Sequence, residues 1–233
     1  MTDLADLNDA PIDGHDPADC CGPAADPRVA RRFDREWGGW DDGDGFPPMV
    51  DVSARLLDRL RDAPLVNPTV LEIGCGAGAV SMALLEMGAR AVKGVDLSAE
   101  SIDLARRRAT AAGFASRAGF AVGQGADVHG EVHDWVILDR VLCCDGQPDH
   151  LFDAVLAAAR DRVAITAPES RGWRGLLNRP MWAAENVWDL MHGGCRGYVH
   201  DLRRFERRLI QAGFRRSGSD HIDLWFVGVY DRA

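Results

Sequence analysis

Short apolar runs alternate with helical repeats along most of this chain. Runs of Val, Ile, Leu and Phe predict strands, because such residues suit a sheet that is buried on both faces. These runs occupy residues 70–73, 91–96, 119–122, 135–138, 162–166, 214–219 and 224–230. Apolar residues at helical spacing predict helices between them, at residues 79–87, 102–112, 151–159 and 202–212. The alternation of strands and helices predicts an α/β fold.

The chain divides into three predicted regions. Residues 1–27 are rich in Asp, Ala, Pro and Gly and poor in large apolar side chains, which predicts a flexible acidic arm. Residues 28–65 carry helical spacing and form a predicted helical lead-in, and residues 66–233 form the main domain. Within that domain, residues 169–200 interrupt the regular alternation. An amphipathic helix is predicted inside this insertion, at residues 179–191.

A glycine-rich turn follows the first predicted strand. The segment Thr69–Gly78 reads TVLEIGCGAG, with the pattern G-x-G-x-G beginning at Gly74. Glycine lets the backbone turn tightly and approach a ligand, and the next helix offers free amides to polar groups. Glu72 lies two residues before the first glycine, and Asp96 ends the second predicted strand. Because a carboxylate at that second position can accept hydrogen bonds from both ribose hydroxyls, the turn predicts a nucleotide-type cofactor site.

This motif resembles that of the class I S-adenosylmethionine-dependent methyltransferases. The likeness is specific in Glu72–Gly78 and Asp96 and extends more weakly over residues 50–233. It implies a Rossmann-like methyltransferase fold, with a mostly parallel seven-stranded sheet, helices on both faces and an antiparallel last strand. It also implies S-adenosyl-L-methionine as the cofactor and a substrate cap at residues 169–200. The insertion and the chain end are similar to small-molecule methyltransferases, including the magnesium-protoporphyrin O-methyltransferase type.

The resemblance implies cofactor-binding roles for residues around the turn. Glu72 would hold the cationic amino group of the methionine moiety, Asp96 the ribose hydroxyls, and Leu97 the adenine. Gln124 stands where the family usually has an acid that binds the adenine amino group. Its amide oxygen can accept that hydrogen bond, with Asp127 as the alternative. The candidate cofactor-binding residues are Glu72, Gly74, Cys75, Gly76, Gly78, Asp96, Leu97, Gln124, Ala126, Asp127 and Leu138.

The catalytic candidates lie after the fourth strand and at the end of the insertion. Asp139 and Arg140 fill the position at which the family places residues beside the methyl donor and acceptor. Arg140 could hold an acceptor carboxylate in a bidentate pair, or form a structural ion pair with a neighbouring acid. Methyl transfer depends on positioning and needs a general base only where the acceptor must lose a proton. The candidate bases are Tyr198, His200, His192 and His150.

The cysteines allow a second chemistry. The adjacent pair Cys143–Cys144 could bind a soft metalloid, as in arsenite methyltransferases, or pack as small apolar residues. A metalloid site would need a third thiolate, which Cys195 or the pair Cys20–Cys21 could supply. His15 next to that second pair also allows a zinc site. The thiols are predicted to be reduced and no metal site is predicted, because their spacing matches no fixed metal motif.

Charge and composition limit the classes of binding partner that are expected for this chain. The formal net charge is −9, and residues 1–45 hold twelve Asp and Glu against four Arg, so the rest of the chain is nearly neutral. Nucleic-acid binding is not expected, because phosphate backbones require clustered Lys and Arg. No run of eighteen apolar residues occurs, and the N-terminal region has acids where a secretory signal has basic and apolar residues. These features predict a cytoplasmic protein without a membrane span.

Five of the seven tryptophans lie outside the predicted sheet, in the lead-in and the insertion. They suit an apolar or planar acceptor, or they attach the cap to the core. The leading hypothesis is methyl transfer from S-adenosylmethionine to an oxygen, nitrogen or carbon of a small organic acceptor. The alternatives are a non-catalytic protein that binds S-adenosylmethionine or S-adenosylhomocysteine, a metalloid methyltransferase that uses Cys143 and Cys144, and an NAD-linked oxidoreductase. The last remains open because the turn also fits the G-x-G-x-x-A pattern.

Overall fold

A single seven-stranded sheet forms the centre of the molecule. The computed structural model describes residues 25–40, 45–62, 67–128, 130–192 and 194–233. The strands are β1 (Thr69–Ile73), β2 (Ala91–Asp96), β3 (Ala118–Val122), β4 (His133–Leu138), β5 (Ala159–Pro168), β6 (Phe214–Ile222) and β7 (Trp225–Arg232). Their order across the sheet is β3-β2-β1-β4-β5-β7-β6. The first five strands pair in parallel, and β7 pairs antiparallel with both β5 and β6. The predicted fold class is therefore confirmed.

The helices pack on both faces of this sheet. Two precede the first strand, and five occupy the connections between strands. They are α1 (Pro27–Trp37), α2 (Asp51–Arg61), α3 (Ala79–Glu86), α4 (Ala99–Ala111), α5 (Pro148–Ala158), α6 (Gly172–His192) and α7 (Leu202–Gln211). Two buried clusters of apolar side chains result, one on each face of the sheet. Each parallel strand is therefore covered on both faces, as its continuous apolar sequence predicts.

The first helix begins inside the region predicted to be a flexible arm. The Asp26 side chain accepts a hydrogen bond from the backbone amide of Arg28 at 2.9 Å, and Pro27 occupies the first helical turn. An Asp cap followed by proline is a strong helix start, since proline needs no amide partner there. Residues 1–24, with His15, Cys20 and Cys21, lie outside the described residues. The division of the chain into arm, lead-in and main domain stays a prediction.

Helix α6 is longer than the sequence pattern predicts. The prediction starts it at Arg179, one residue before Pro180, whereas the helix begins at Gly172 and continues through the proline. An internal proline removes one helical hydrogen bond and normally costs about 3 kcal/mol. Packing offsets this cost: Asn178, two residues before the proline, is buried and donates to the carbonyl oxygens of Glu169 and Leu224, each at 2.8 Å. None of the helices in the described ranges is both long and apolar enough to cross a bilayer.

Gly94 in β2 tests how tightly this core is packed. A Cβ atom there would lie 2.6 Å from Phe120 and 2.8 Å from the Cys75 sulfur. We expect Gly94→Ala to destabilise the protein by about 1–3 kcal/mol, because both neighbours are buried and cannot move freely. Gly218→Ala in β6 is the matched control, since its nearest neighbour would be 3.9 Å away. Urea unfolding of the two variants checks the difference, and equal midpoints would contradict it.

Candidate functional site

A cavity of about 450 Å³ opens at the carboxyl ends of the parallel strands. Its floor comes from the turn after β1 and from the ends of β2 and β4. Helix α1 and the segment between α6 and α7 form further parts of the wall. Ligands of open α/β sheets bind at this edge, beside the position where the strand order reverses. Here that position lies between β1 and β4.

The glycine turn is fixed by backbone hydrogen bonds. The amides of Gly74 and Cys75 both donate to the carbonyl oxygen of Val95, at 2.7 and 3.1 Å. Gly74 has φ +69°, and a Cβ atom there would lie 2.3 Å from a methyl group of Val141. Gly76 also has a positive φ, but no atom lies within 4 Å of its Cβ position. The turn therefore has no room for a side chain at Gly74, where it packs against Val141. At Gly76, which lines the cavity, the corresponding space is free.

Asp96 connects this turn to the next helix. Its carboxylate accepts from the Gly76 amide at 2.8 Å and from the Ser98 amide at 2.9 Å. Burial raises the pKa of Asp96, although these amides act in the opposite direction. No salt bridge to Asp96 is found among the described residues. The carboxylate therefore remains available at the cavity wall for hydroxyl donors of a ligand.

Glu72 is the buried acid of the site. It is 2% exposed and accepts a short hydrogen bond from the Ser81 hydroxyl in α3. Burial raises the pKa of Glu72 to about 8, and the nearby carboxylates of Asp139 and Asp96 add to this increase. A buried acid without a cationic partner is costly in its charged form. A positively charged ligand group in the cavity would stabilise that form.

The raised pKa of Glu72 predicts that the binding of a cationic cofactor depends on pH. A cation selects the ionised carboxylate, so binding below about pH 8 must release a proton from Glu72. We expect the affinity for S-adenosylmethionine to rise by up to about tenfold between about pH 6 and pH 7. In this range the α-amino group of the ligand keeps its charge. Calorimetry in buffers of different ionisation enthalpy measures the released proton.

Two variants isolate the effect of this carboxyl group. Glu72→Gln should remove both the proton release and the pH dependence. Glu86→Gln, at an exposed position of α3, should retain both. A pH dependence that is the same in Glu72→Gln as in the wild type would contradict the assignment.

The loop after β3 covers the opposite side of the cavity floor. A Cβ atom at Gly125 would lie 2.2 Å from a methyl group of Ile73, so the loop rests directly on the end of β1. Gln124 donates to Asp127 at 3.2 Å, and its amide oxygen accepts from the Ala25 amide at 2.6 Å. The same amide oxygen is the atom predicted to accept from adenine. Ala25 and the adenine amino group are therefore alternative donors to it.

Asp139 and Arg140 lie at the cavity end of β4, and hydrogen bonds fix both. Asp139 accepts from the hydroxyl of Thr166 at 2.6 Å and, through a short contact, from the hydroxyl of Ser53. Burial raises the pKa of Asp139. Arg140 has φ +60°, and its amide donates to the Thr166 hydroxyl at 2.8 Å. A non-glycine residue in this conformation is strained, and such strain is often found at functional sites.

The structure does not bring Tyr198 and His200 to the cavity wall. The two rings stack at 5.5 Å, and His200 Nε2 lies 2.8 Å from the carbonyl oxygen of Asp145. The Tyr198 amide donates to the carbonyl oxygen of Cys143 at 2.8 Å. These contacts attach the end of the insertion to the loop after β4. His192 also lies elsewhere, stacked on Trp188 at the exposed end of α6.

Ten of the predicted site residues line the cavity: Glu72, Gly74, Cys75, Gly76, Asp96, Leu97, Gln124, Ala126, Asp139 and Arg140. The other predicted cofactor residues, Gly78, Asp127 and Leu138, are not part of the lining. Gly78 instead begins α3 with φ +74°, and a Cβ atom there would lie 3.1 Å from Ala105 of α4. Leu138 is fully buried in the sheet.

Besides Cys75, three further cysteines line this cavity, Cys143, Cys144 and Cys195. The sulfurs of Cys143 and Cys144 are 3.6 Å apart, and Cys195 accepts from Arg32 at 3.5 Å. The hydrogen bond from Cys143 lowers the pKa of Cys144, and Arg32 and Arg140 act in the same direction. Within the described part of the chain, no three ligand side chains are close enough together to hold a metal ion. The metalloid alternative would therefore need a thiolate from outside that part.

Helix α1 contributes two cavity residues that the sequence did not reveal, Arg32 and Phe33, beside Trp37, which was among the tryptophans predicted near an acceptor. The helix is anchored there by Asp34, which accepts from the Ser98 hydroxyl at 2.7 Å. Helical spacing predicts a helix in this region, and the Asp26–Pro27 pair could have shown where it begins. Its position over the cavity depends on contacts with α4 that no local pattern encodes.

His150, Trp182 and Trp225 complete the wall. His150 belongs to the first turn of α5. Among the histidines in the part of the chain that the structure describes, it is the one that lines the cavity. Trp182 of α6 and Trp225 of β7 meet edge to face, with ring centroids 6.4 Å apart. Of the five tryptophans predicted near an acceptor, Trp37 and Trp182 line the cavity. Trp173 and Trp188 instead face outward, at 59% and 64% exposure.

Taken together, the sheet order, the glycine turn and the two carboxylates define an α/β protein with a nucleotide-cofactor site. A family model described as a methyltransferase domain matches residues 70–166, which contain the glycine turn and both carboxylates. A ubiquinone biosynthesis O-methyltransferase of Aromatoleum aromaticum is 34% identical over 207 residues, which covers 81% of this chain and 82% of that enzyme. The chain belongs to the S-adenosylmethionine-dependent methyltransferases. The predicted family and cofactor are thereby confirmed, and the NAD-linked alternative is set aside.

Other relatives match over different lengths. A ubiquinone biosynthesis O-methyltransferase of Ralstonia nicotianae is 34% identical over 95 residues, 39% of either chain. Among solved structures, magnesium protoporphyrin IX methyltransferase from Synechocystis PCC 6803, with bound SAH, superposes with a TM-score of 0.66. That match covers 89% of this chain and 100% of the other at 18% identity. It shows that the two proteins share a fold.

Proposed function

We propose that this protein transfers a methyl group from S-adenosylmethionine to an oxygen atom of a small organic acceptor. The observation that carries the proposal is a single cavity lined by two sets of groups. The cofactor-motif residues Glu72, Gly76 and Asp96 line it. Arg140, His150 and Trp182, which lie outside that motif, line it as well. Oxygen is the favoured acceptor atom because the relatives from Aromatoleum aromaticum and Ralstonia nicotianae are named O-methyltransferases.

The cavity suits the cofactor in charge and in shape. Glu72 would hold the cationic amino group of the cofactor, and Asp96 would hold its ribose hydroxyls. The open turn at Gly76 would let the cofactor approach the protein backbone closely. When bound, S-adenosylmethionine supplies a methyl group on a positive sulfonium, whose sulfur leaves with the electron pair of the broken bond. The protein residues position the acceptor oxygen against that group and exclude water.

The cavity residues outside the cofactor motif suit an anionic or phenolic acceptor that has a planar part. Arg32, Arg140 and Arg196 all line the cavity, and guanidinium groups bind carboxylates and phenolates well. Trp182 and Trp225 provide flat apolar surface beside them. We infer that His150 accepts the proton of the acceptor hydroxyl. Asp139, which accepts hydrogen bonds from Ser53 and Thr166, is the alternative base.

A direct assay tests the proposal. Purified protein is incubated with S-adenosylmethionine and with separate sets of phenols, carboxylic acids, amines and thiols. We expect S-adenosylhomocysteine to form only with acceptors that carry a hydroxyl, and mass spectrometry should locate the methyl group on oxygen. A methylated amine or thiol as the main product would overturn the choice of oxygen. Tight cofactor binding without any turnover would favour the non-catalytic alternative.

A further inference from the structure

Helix α6 exposes a continuous apolar stripe on its outer side. Seven large apolar side chains of this helix are 40–75% exposed. They are Trp173, Leu176, Leu177, Met181, Val187, Trp188 and Met191. Their spacing of three and four residues places them on one side of the helix, over a length of roughly 27 Å. Monomeric soluble proteins rarely expose so large an apolar patch without a function for it.

The polar side of the same helix faces the protein, which is the reverse of an ordinary surface helix. Asn186 both donates to and accepts from the backbone of Gly197, at 2.8 and 2.6 Å. Asp189 lies 4.0 Å from Arg32 of α1, and Trp182 packs against Trp225. The helix is therefore held in this orientation by specific contacts. Its exposed stripe is a consequence of the folded structure.

Basic side chains border the stripe. Arg179 is exposed on one side, and Arg174 stacks on Trp173 at the amino end, with 4.6 Å between guanidinium and ring. A second cavity lies beside this end, and it brings further basic groups next to Trp173. Its charged lining residues are Arg171, Arg174, Arg216, His221 and Glu169. Glu206 also pairs with Arg171 and Arg216, so the two acids neutralise only part of this charge.

We propose that the outer stripe of α6 docks the protein on the surface of an anionic lipid bilayer. An interfacial helix buries one apolar side in the headgroup region and carries Trp and Leu there, with basic residues toward anionic lipid. The stripe has both features, including a tryptophan near each end. The strongest negative charge of the chain lies in residues 1–45, and the remaining residues are nearly neutral, so the charge of the main domain does not oppose docking.

Other occupants of the stripe are less well supported. Residues 1–24 carry only four large apolar side chains, those of Met1, Leu4, Leu7 and Ile12, so they offer little to cover seven exposed apolar residues. A second copy of the chain would cover the stripe, but its corresponding helix would offer one exposed acid, Glu185, to the basic border formed by Arg174 and Arg179. The bilayer accounts for the stripe and for the border together.

Vesicle sedimentation with the full chain tests the proposal without any cofactor, and its outcome is therefore independent of the proposed function. The probe is vesicles of phosphatidylcholine with or without phosphatidylglycerol. We expect binding that requires phosphatidylglycerol and weakens with salt. Leu176→Glu combined with Trp188→Glu should reduce binding at least about tenfold. Arg174→Gln and Arg179→Gln should each reduce it about fivefold.

The matched control is Ile210→Glu, which places the same charge at an exposed apolar position of α7. It should bind vesicles like the wild type, and all variants should bind S-adenosylmethionine normally if they are folded. Vesicle binding that is unaffected by the stripe variants would overturn the proposal. So would the absence of binding together with a dimer that the stripe variants dissociate. Binding that appears only after deletion of residues 1–24 would also overturn it, because that segment would then cover the stripe.

Discussion

Replacing Asp96 by alanine should weaken the binding of S-adenosylmethionine and S-adenosylhomocysteine roughly a hundredfold or more. The carboxylate can accept two charge-assisted hydrogen bonds from the ribose, each contributing about 1.5–3 kcal/mol. It also accepts from the Gly76 amide and so stabilises the turn on which the cofactor would lie. Calorimetric titration of both ligands measures the loss.

The control for this prediction is Asp103→Ala on the outer side of α4. Its side chain is 62% exposed and forms one ion pair with Arg106, at 3.4 Å. This variant should bind the cofactor like the wild type. The melting temperature of each free variant separates a binding defect from a folding defect. Wild-type affinity in a folded Asp96→Ala variant would mean that the ribose lies elsewhere.

The cofactor half of the site was largely predictable from the sequence, because its information is local. Strand β1, its turn and α3 follow one another directly, and the carboxylates Glu72 and Asp96 lie at the ends of adjacent parallel strands. Short spacing and strand polarity therefore determine where these groups meet. The same reasoning predicts the order of β1, β2 and β3, which connect through single helices.

The acceptor half depends on contacts between distant parts of the chain. Tyr198 and His200 lie near the predicted cap, but their polar contacts go to the loop at Cys143–Asp145 rather than to the cavity. Helix α1 reaches the site through Asp34 and Ser98, which are 64 residues apart. No periodicity or motif encodes such a pairing. The amphipathic pattern of α6 was visible, but the pattern alone does not show that its apolar side faces outward.

Replacing His150 by alanine should lower kcat about a hundredfold or more and leave the affinity for S-adenosylmethionine unchanged. Removing a general base typically has an effect of this size. His150 belongs to α5 rather than to the glycine turn or the end of β2, whose residues would hold the cofactor. Methyl transfer to the acceptor found in the assay above gives kcat, and calorimetry gives the affinity for S-adenosylmethionine.

Two further variants decide whether His150 itself takes the proton. His192→Ala is the control, because His192 hydrogen-bonds within α6 and does not line the cavity. Asp139→Asn tests the other candidate base. Since Asp139 accepts from Ser53 and Thr166, its replacement should disturb the Arg140 turn and raise KM for an anionic acceptor more than it lowers kcat. A kcat about a hundredfold lower in Asp139→Asn, with a normal rate in His150→Ala, would assign the proton to Asp139 instead.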